Sequence, residues 1–166
     1  LLSAKLLSAI LIKNSINARF TDSRELIKTD SKFGDAQPLE QVSKKNVVQY
    51  FKLHSETVNI ITGFIGSNNN NDATTLGRNG SNYTASLIAN YLDAEELQNY
   101  THVDGIYTAN PELVPDAKKI DRLSFNEARL NPQPEQYRLS YLPVALLNAM
   151  TPVSAGFVFV LKKPAP

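Results

Sequence analysis

The stretch TTLGRNGSNYTASLIANYL (residues 74–92) places Gly77 and Gly80, two of only seven glycines, around Arg78 and Asn79. A helical pattern follows at once. Glycine permits positive φ or close backbone approach. Free amides at a helix start favour a carboxylate or phosphate, and Ser81 reads as that helix's N-cap. Arg78 could grip the same anion with two parallel hydrogen bonds. A second glycine-bearing loop, TGFIGSN (62–68), follows a β-branched run. The chemistry these residues suit is anion binding. A tight turn with an exposed arginine would show the same spacing, and the pattern is neither a Walker loop nor GxGxxG.

A further candidate lies in THVDGIY (101–107). A strand ending there could turn the Tyr107 ring and the backbone of Asp104 and Gly105 toward a base or ribose. A turn with a half-buried tyrosine fits the same residues. His102 has the chemistry of an acid, base or ligand, but no second histidine lies near it in sequence to make a metal pair. His54 falls at a helix end, where interaction with the helix dipole suffices. No protein-held metal is expected.

The elements that must position these loops follow from composition and pattern. With 166 residues, one domain with a sizeable core is expected. Hydrophobic residues make up 42% and charged residues 20%, and the net charge is +1. That balance argues against nucleic acid or an acidic membrane surface as partner. No cysteine is present, so there is no disulfide framework, in keeping with a cytoplasmic location. The opening LLSAKLLSAILIK has Leu2, Leu6, Ala9 and Ile10 at helical spacing, which predicts an amphipathic core helix. Lys5 interrupts its apolar run, and no stretch reaches the ~20 apolar residues of a membrane span.

INARFTDS (16–23) reads as a short strand and TDSKFGDAQP (29–38) as a surface loop. Residues 38–55 read as a helix with Pro38 at its first position and Leu39, Val42, Val47 and Phe51 near helical spacing. TVNIITGF (57–64) reads as a strand buried on both faces, and 68–72 as a solvated turn. The helix 81–92 then serves as the right-handed crossover between parallel neighbours at 57–62 and 97–103. This alternation predicts an α/β domain with a mainly parallel sheet, whose ligands gather outside the carboxyl ends of its strands. SFNEA (124–128) resembles a first helical turn. The last 38 residues hold six of the nine prolines, with one helix expected around 141–150 and one strand at 156–161.

In order and spacing, TGFIGSN, TTLGRNGSNYTASLIANYL, YTHVDGIYTANPELVPDAKKI and LSFNEA resemble aspartokinase, of the amino acid kinase family. LLSAKLLSAIL and the FG.A.P spacing after FTDSRELIKTD resemble it too. The likeness covers residues 2–128, and its wording is nearest to the kinase part of bifunctional aspartokinase–homoserine dehydrogenases. It implies a mostly parallel sheet sandwiched between helix layers, here incomplete. Residues 1–128 would be a partial catalytic domain and 129–166 a tail without a clear match. The implied reaction carries the γ-phosphoryl of Mg-ATP to the side-chain carboxylate of L-aspartate, toward lysine, threonine and methionine. The anion at GRNGSN is then the substrate. By resemblance Phe64 and Gly66 line the aspartate pocket, Arg78, Ser81 and Asn82 hold the substrate, and Thr101, His102 and Tyr107 face the nucleotide.

The resemblance also implies L-aspartate and ATP as ligands, Mg2+ with the ATP, self-association into a homo-oligomer, and a dehydrogenase fused in the same polypeptide. Many members carry Asp at the positions of Asn82 and His102, and Arg at that of Glu112. Asn82 keeps a hydrogen-bonding side chain but loses a charge that would meet the substrate ammonium. The family's KFGGTS lysine loop and its Gly-Glu fall before Leu1, so its catalytic lysine and glutamate lie outside this sequence. The expectation is therefore a kinase segment that has no useful activity alone. The alternative expectation is a catalytically incompetent segment that only binds ligand or pairs with another chain.

Overall fold

A computed structural model of the chain describes residues 1–55, 57–78, 80–94, 96–100, 106–109, 113–120 and 158–162. Helix α1 (Leu2–Lys13) is built from good helix formers and ends with Lys13 in its last turn, which suits the dipole. Asn14 follows, with its side-chain amide donating to Ile10 O at 2.8 Å. Ser15 takes φ 62, and Ile16 N reaches back to Leu11 O at 3.0 Å, a left-handed stop. The inward face differs from the expected one. Ser8 is buried, and Ala4, Leu7 and Leu11 are half-buried. Leu2, Leu6, Ala9 and Ile10 are exposed instead. In so apolar a helix several stripes share the 3.6-residue period, and the packing against β1 and β2 selects another one.

Strand β1 (Ala18–Thr21) pairs in parallel with β2 (Val58–Ile61), with Ala18 opposite Val58 and Thr21 opposite Ile61. Between them run the short helix α2 (Ser23–Leu26) and α3 (Glu40–Leu53). Leu39 is the N-cap of α3, so Pro38 precedes the helix; it bridges Thr29 rather than opening the first turn. Val47 is fully buried, whereas Val42 is exposed. β2 is half-buried with Val58 exposed, not buried on both faces, and it stops at Ile61 because the chain turns sharply beyond Thr62.

β3 (Ile65–Ser67) and β4 (Ala73–Thr75) form an antiparallel hairpin. Its polar turn is organised from within, because Asn68 is buried rather than solvated. The Asn68 side-chain Oδ1 accepts from the Asn70 and Asp72 backbone amides at 3.0 and 2.9 Å. Helix α4 (Gly80–Tyr91) packs against α3, and Leu26, Ile27, Val47, Leu76, Leu87, Ile88 and Tyr91 form the core between these elements.

β5 (Glu96–Tyr100) follows α4 but does not extend the β1–β2 ladder. It pairs antiparallel with β8 (Val158–Lys162), while β6 (Ile106–Tyr107) and β7 (Lys119–Ile120) pair with each other. The expected crossover between parallel neighbours is thus not formed in the described ladders. The aromatic and β-branched run VFVLK takes an edge of β5 instead. The strand expected at 156–161 is this β8; the helices expected at 124–128 and 141–150 lie outside the described residues.

Candidate active site

β1 and β2 end side by side, with Thr62 N donating to Thr21 O at 3.1 Å. Just beyond, Ser23 N donates to Thr62 Oγ1 at 2.8 Å, the two hydroxyls lie 2.9 Å apart, and Ser23 Oγ donates to Ile65 O at 2.7 Å. Every member of this buried knot is satisfied, so it fixes where the 62–66 loop leaves the sheet. Asp22 beside it accepts from Arg24, with Nη2 to Oδ2 at 2.6 Å. That hydrogen bond holds the Asp22 carboxyl below the usual carboxylate range.

The loop then meets the start of α4. Phe64 takes φ 76, a conformation that costs a bulky residue about 1–3 kcal/mol and persists only where surroundings enforce it. A Cβ on Gly80 would lie 2.7 Å from Phe64 Cδ2 and 3.2 Å from its Cα, so glycine is required there by close approach. The reciprocal contact is as tight, since a Cβ on Gly63 would lie 2.9 Å from Ser81 Cα. Leu76 N donates to Phe64 O at 2.9 Å and Gly80 N to Gly77 O at 3.1 Å. Gly77 has φ 76 and faces Asp35 of the 29–37 loop. That loop also ties to β4 through Ala36 N and Thr75 O at 2.9 Å.

Of the expected residues, Phe64, Arg78, Ser81 and Asn82 lie on the two segments that meet at this junction, and Gly66 lies just beyond it. Phe64 is 42% exposed. Arg78 is exposed on the turn between the two glycines. Ser81 is the second residue of α4 rather than its cap, since the helix starts one residue earlier than its pattern suggests. Asn82 is 6% exposed, and its Oδ1 has no hydrogen-bond partner among the described residues. Gly66 is buried in β3 against Ile27 and Thr29. Tyr107 lies in β6, paired with Lys119, while Thr101 and His102 lie outside the described residues. Sequence reasoning missed Thr84, which joins the loop to the helix. Its only signal is a hydroxyl four residues after Gly80, in reach of that carbonyl.

Among the described residues no group of His, Asp or Glu could hold a metal ion, and no helix is long and apolar enough to cross a membrane. The arrangement is a two-loop clasp in which the loop leaving the carboxyl end of parallel strand β2 meets the loop between β4 and α4, a junction that can receive a small anionic ligand.

Comparison with known proteins agrees with that class. The model of the amino acid kinase family matches residues 1–156, and the chain belongs to this family. Lysine-sensitive aspartokinase 3 of Escherichia coli (strain K12) is 40% identical over 129 residues, covering 77% of this chain and 29% of the relative. The chloroplastic bifunctional aspartokinase/homoserine dehydrogenase 2 of Arabidopsis thaliana is 32% identical over 150 residues, covering 90% of this chain and 16% of the relative. The chain is also similar to the crystal structure of E. coli aspartokinase III in complex with aspartate and ADP. The TM-score is 0.72 at 39% identity, over 76% of this chain and 28% of that one. The chain thus spans less than a third of the length of each of these three.

Proposed function

We propose that this chain is the substrate-holding part of an aspartate kinase, which transfers the γ-phosphoryl of ATP to the side-chain carboxylate of L-aspartate. The observation that carries this reading is the convergence of the 62–66 loop and the start of α4, with a buried, unpartnered Asn82 Oδ1 beside it. An unpaired buried acceptor costs about 1–3 kcal/mol. A ligand N–H, such as the ammonium of an amino acid, would relieve that cost. Arg78 supplies the charge for a carboxylate, being the only lysine or arginine between Lys52 and Lys118. Phe64 and Gly66 border the pocket, and Arg78, Ser81 and Asn82 hold the amino acid.

Thr101, His102 and Tyr107 belong to the nucleotide side. The similarity to a structure described as holding aspartate and ADP supports this pairing of ligands. Mg2+ enters only as the counter-ion of the ATP phosphates. In phosphoryl transfer the protein's task is positioning and charge stabilisation, which a rigid clasp serves. The product, aspartyl phosphate, leads toward lysine, threonine and methionine.

Separate titrations of L-aspartate and ATP against the chain and its Arg78 variants test this. Arg78→Ala weakens aspartate binding by about 1.5–3 kcal/mol, the range for hydrogen bonds to charged groups, and ATP binding much less. Arg78→Lys recovers only part, because a point charge lacks the two-pronged geometry. Equal losses for both ligands, or none, would make Arg78 a surface arginine on a tight turn. Aspartate binding without any ATP binding would favour a segment that only binds the amino acid.

A further inference from the structure

Besides the backbone bond from Leu76 N to Phe64 O, one side-chain hydroxyl ties the 62–66 loop to α4. Thr84 Oγ1 accepts from Phe64 N at 3.0 Å and donates to Gly80 O at 2.8 Å. Thr84 is 2% exposed, so water does not substitute for it easily. Phe64 is thereby gripped at both backbone groups, since its carbonyl accepts from Leu76 N at 2.9 Å. The lack of a Cβ on Gly80 leaves the room that its left-handed conformation needs. The bond from Thr84 back to Gly80 adds little by itself, because such hydroxyl bonds to the preceding turn slightly weaken helices. Its bond to Phe64 is the one that reaches outside the helix.

We propose that Thr84 is a positioning residue for substrate binding. Through its hydroxyl it holds Phe64 in the left-handed conformation and locks the 62–66 loop onto the first turn of α4. Substrate-facing atoms on both loops then keep one fixed spacing. Thr84 carries no charge and takes no part in the chemistry. Without the hydroxyl the Phe64 N–H loses its partner, φ relaxes to negative values, and the ring leaves its place against Gly80 at the start of α4. This inference rests on the aspartate reading of the same site.

Titration of the 166-residue chain with L-aspartate, together with hydrogen exchange at the Phe64 amide, tests it. Thr84→Val keeps the side-chain shape and removes the hydroxyl. It weakens aspartate binding about tenfold, as expected for a polar group left unpaired, and speeds exchange at Phe64. Thr84→Ser restores both. Val47→Ala, in the core on α3, lowers Tm but leaves aspartate affinity within about twofold, as for a site with no shared partner. If Thr84→Val does not fold, Thr84→Ala carries the same expectation. In the wild-type chain, saturation with aspartate slows exchange at Phe64. Wild-type affinity in the Thr84 variants, or a loss no larger than that of Val47→Ala, overturns the role of Thr84 while the aspartate reading stands. So does an unchanged Phe64 exchange rate on saturation. Absence of aspartate binding by the wild-type chain overturns that reading, and this inference with it.

Discussion

Helices α1 and α4 have the same length and opposite fates. LSAKLLSAILIK is dominated by Leu, Ile and Ala, yet only Ser8 of α1 is buried. GSNYTASLIANY begins with small and polar residues, yet nine of its twelve residues are buried. The difference lies in what surrounds each helix. α1 packs against β1 and β2 on one side, whereas α4 packs against α3, β3 and β5. Polar residues survive inside α4 because they are small enough for close approach and because Thr84 is satisfied across the junction. Burial here follows the needs of the clasp more than hydrophobicity.

Substitutions on the two helices sharpen this contrast. The largest effect is expected from Leu87→Ala, at 1% exposure in the α4 core: a loss of about 2–5 kcal/mol in urea unfolding. A loss below 1 kcal/mol would show that α4 is not the packed element described. Gly80→Ala comes next, at about 1–3 kcal/mol, since the new methyl meets Phe64 and Leu76. It should also weaken aspartate binding, and unchanged stability would mean that the junction opens freely.

Tyr91→Phe should be neutral or stabilising by up to about 1 kcal/mol, because it removes a buried hydroxyl without a partner among the described residues. Burial pushes the Tyr91 phenol well above its ordinary range, so the wild-type group stays neutral at all mild pH values. Destabilisation by more than that amount would reveal a partner for the hydroxyl. On α1, Leu6→Lys should change stability by less than about 0.5 kcal/mol, as for other exposed sites. A larger loss would mean that the apolar outer stripe of α1 is covered.

The positions of α1, β1, α3, β2 and α4 were legible because each has its own period and punctuation, whereas α2 and the short β3–β4 hairpin were not read as elements. Gly77, Gly80 and the β-branched run before Thr62 mark the clasp without any tertiary information. The inward face of α1 was not legible, since an almost uniformly apolar helix offers no contrast to read. The partner of β5 was hidden as well. Strand pairing is a long-range choice, and VFVLK lies nearly 60 residues further along the chain. Thr84 escaped notice because a threonine inside a helix shows nothing of the amide it meets until the loop folds over it. The strained Phe64 escaped for a related reason, as its conformation is imposed by Gly80, Leu76 and Thr84 together.

The clasp between residues 62–66 and 76–82 is expected to hold an anionic amino acid. Backbone amide shifts of the labelled chain, followed during titration with L-aspartate, address it directly. The expected result is a saturable set of shifts centred on Phe64, Arg78, Ser81 and Asn82, with the amides of α1 unmoved. Shifts centred elsewhere, or a response to aspartate that Arg78→Ala leaves intact, would contradict it.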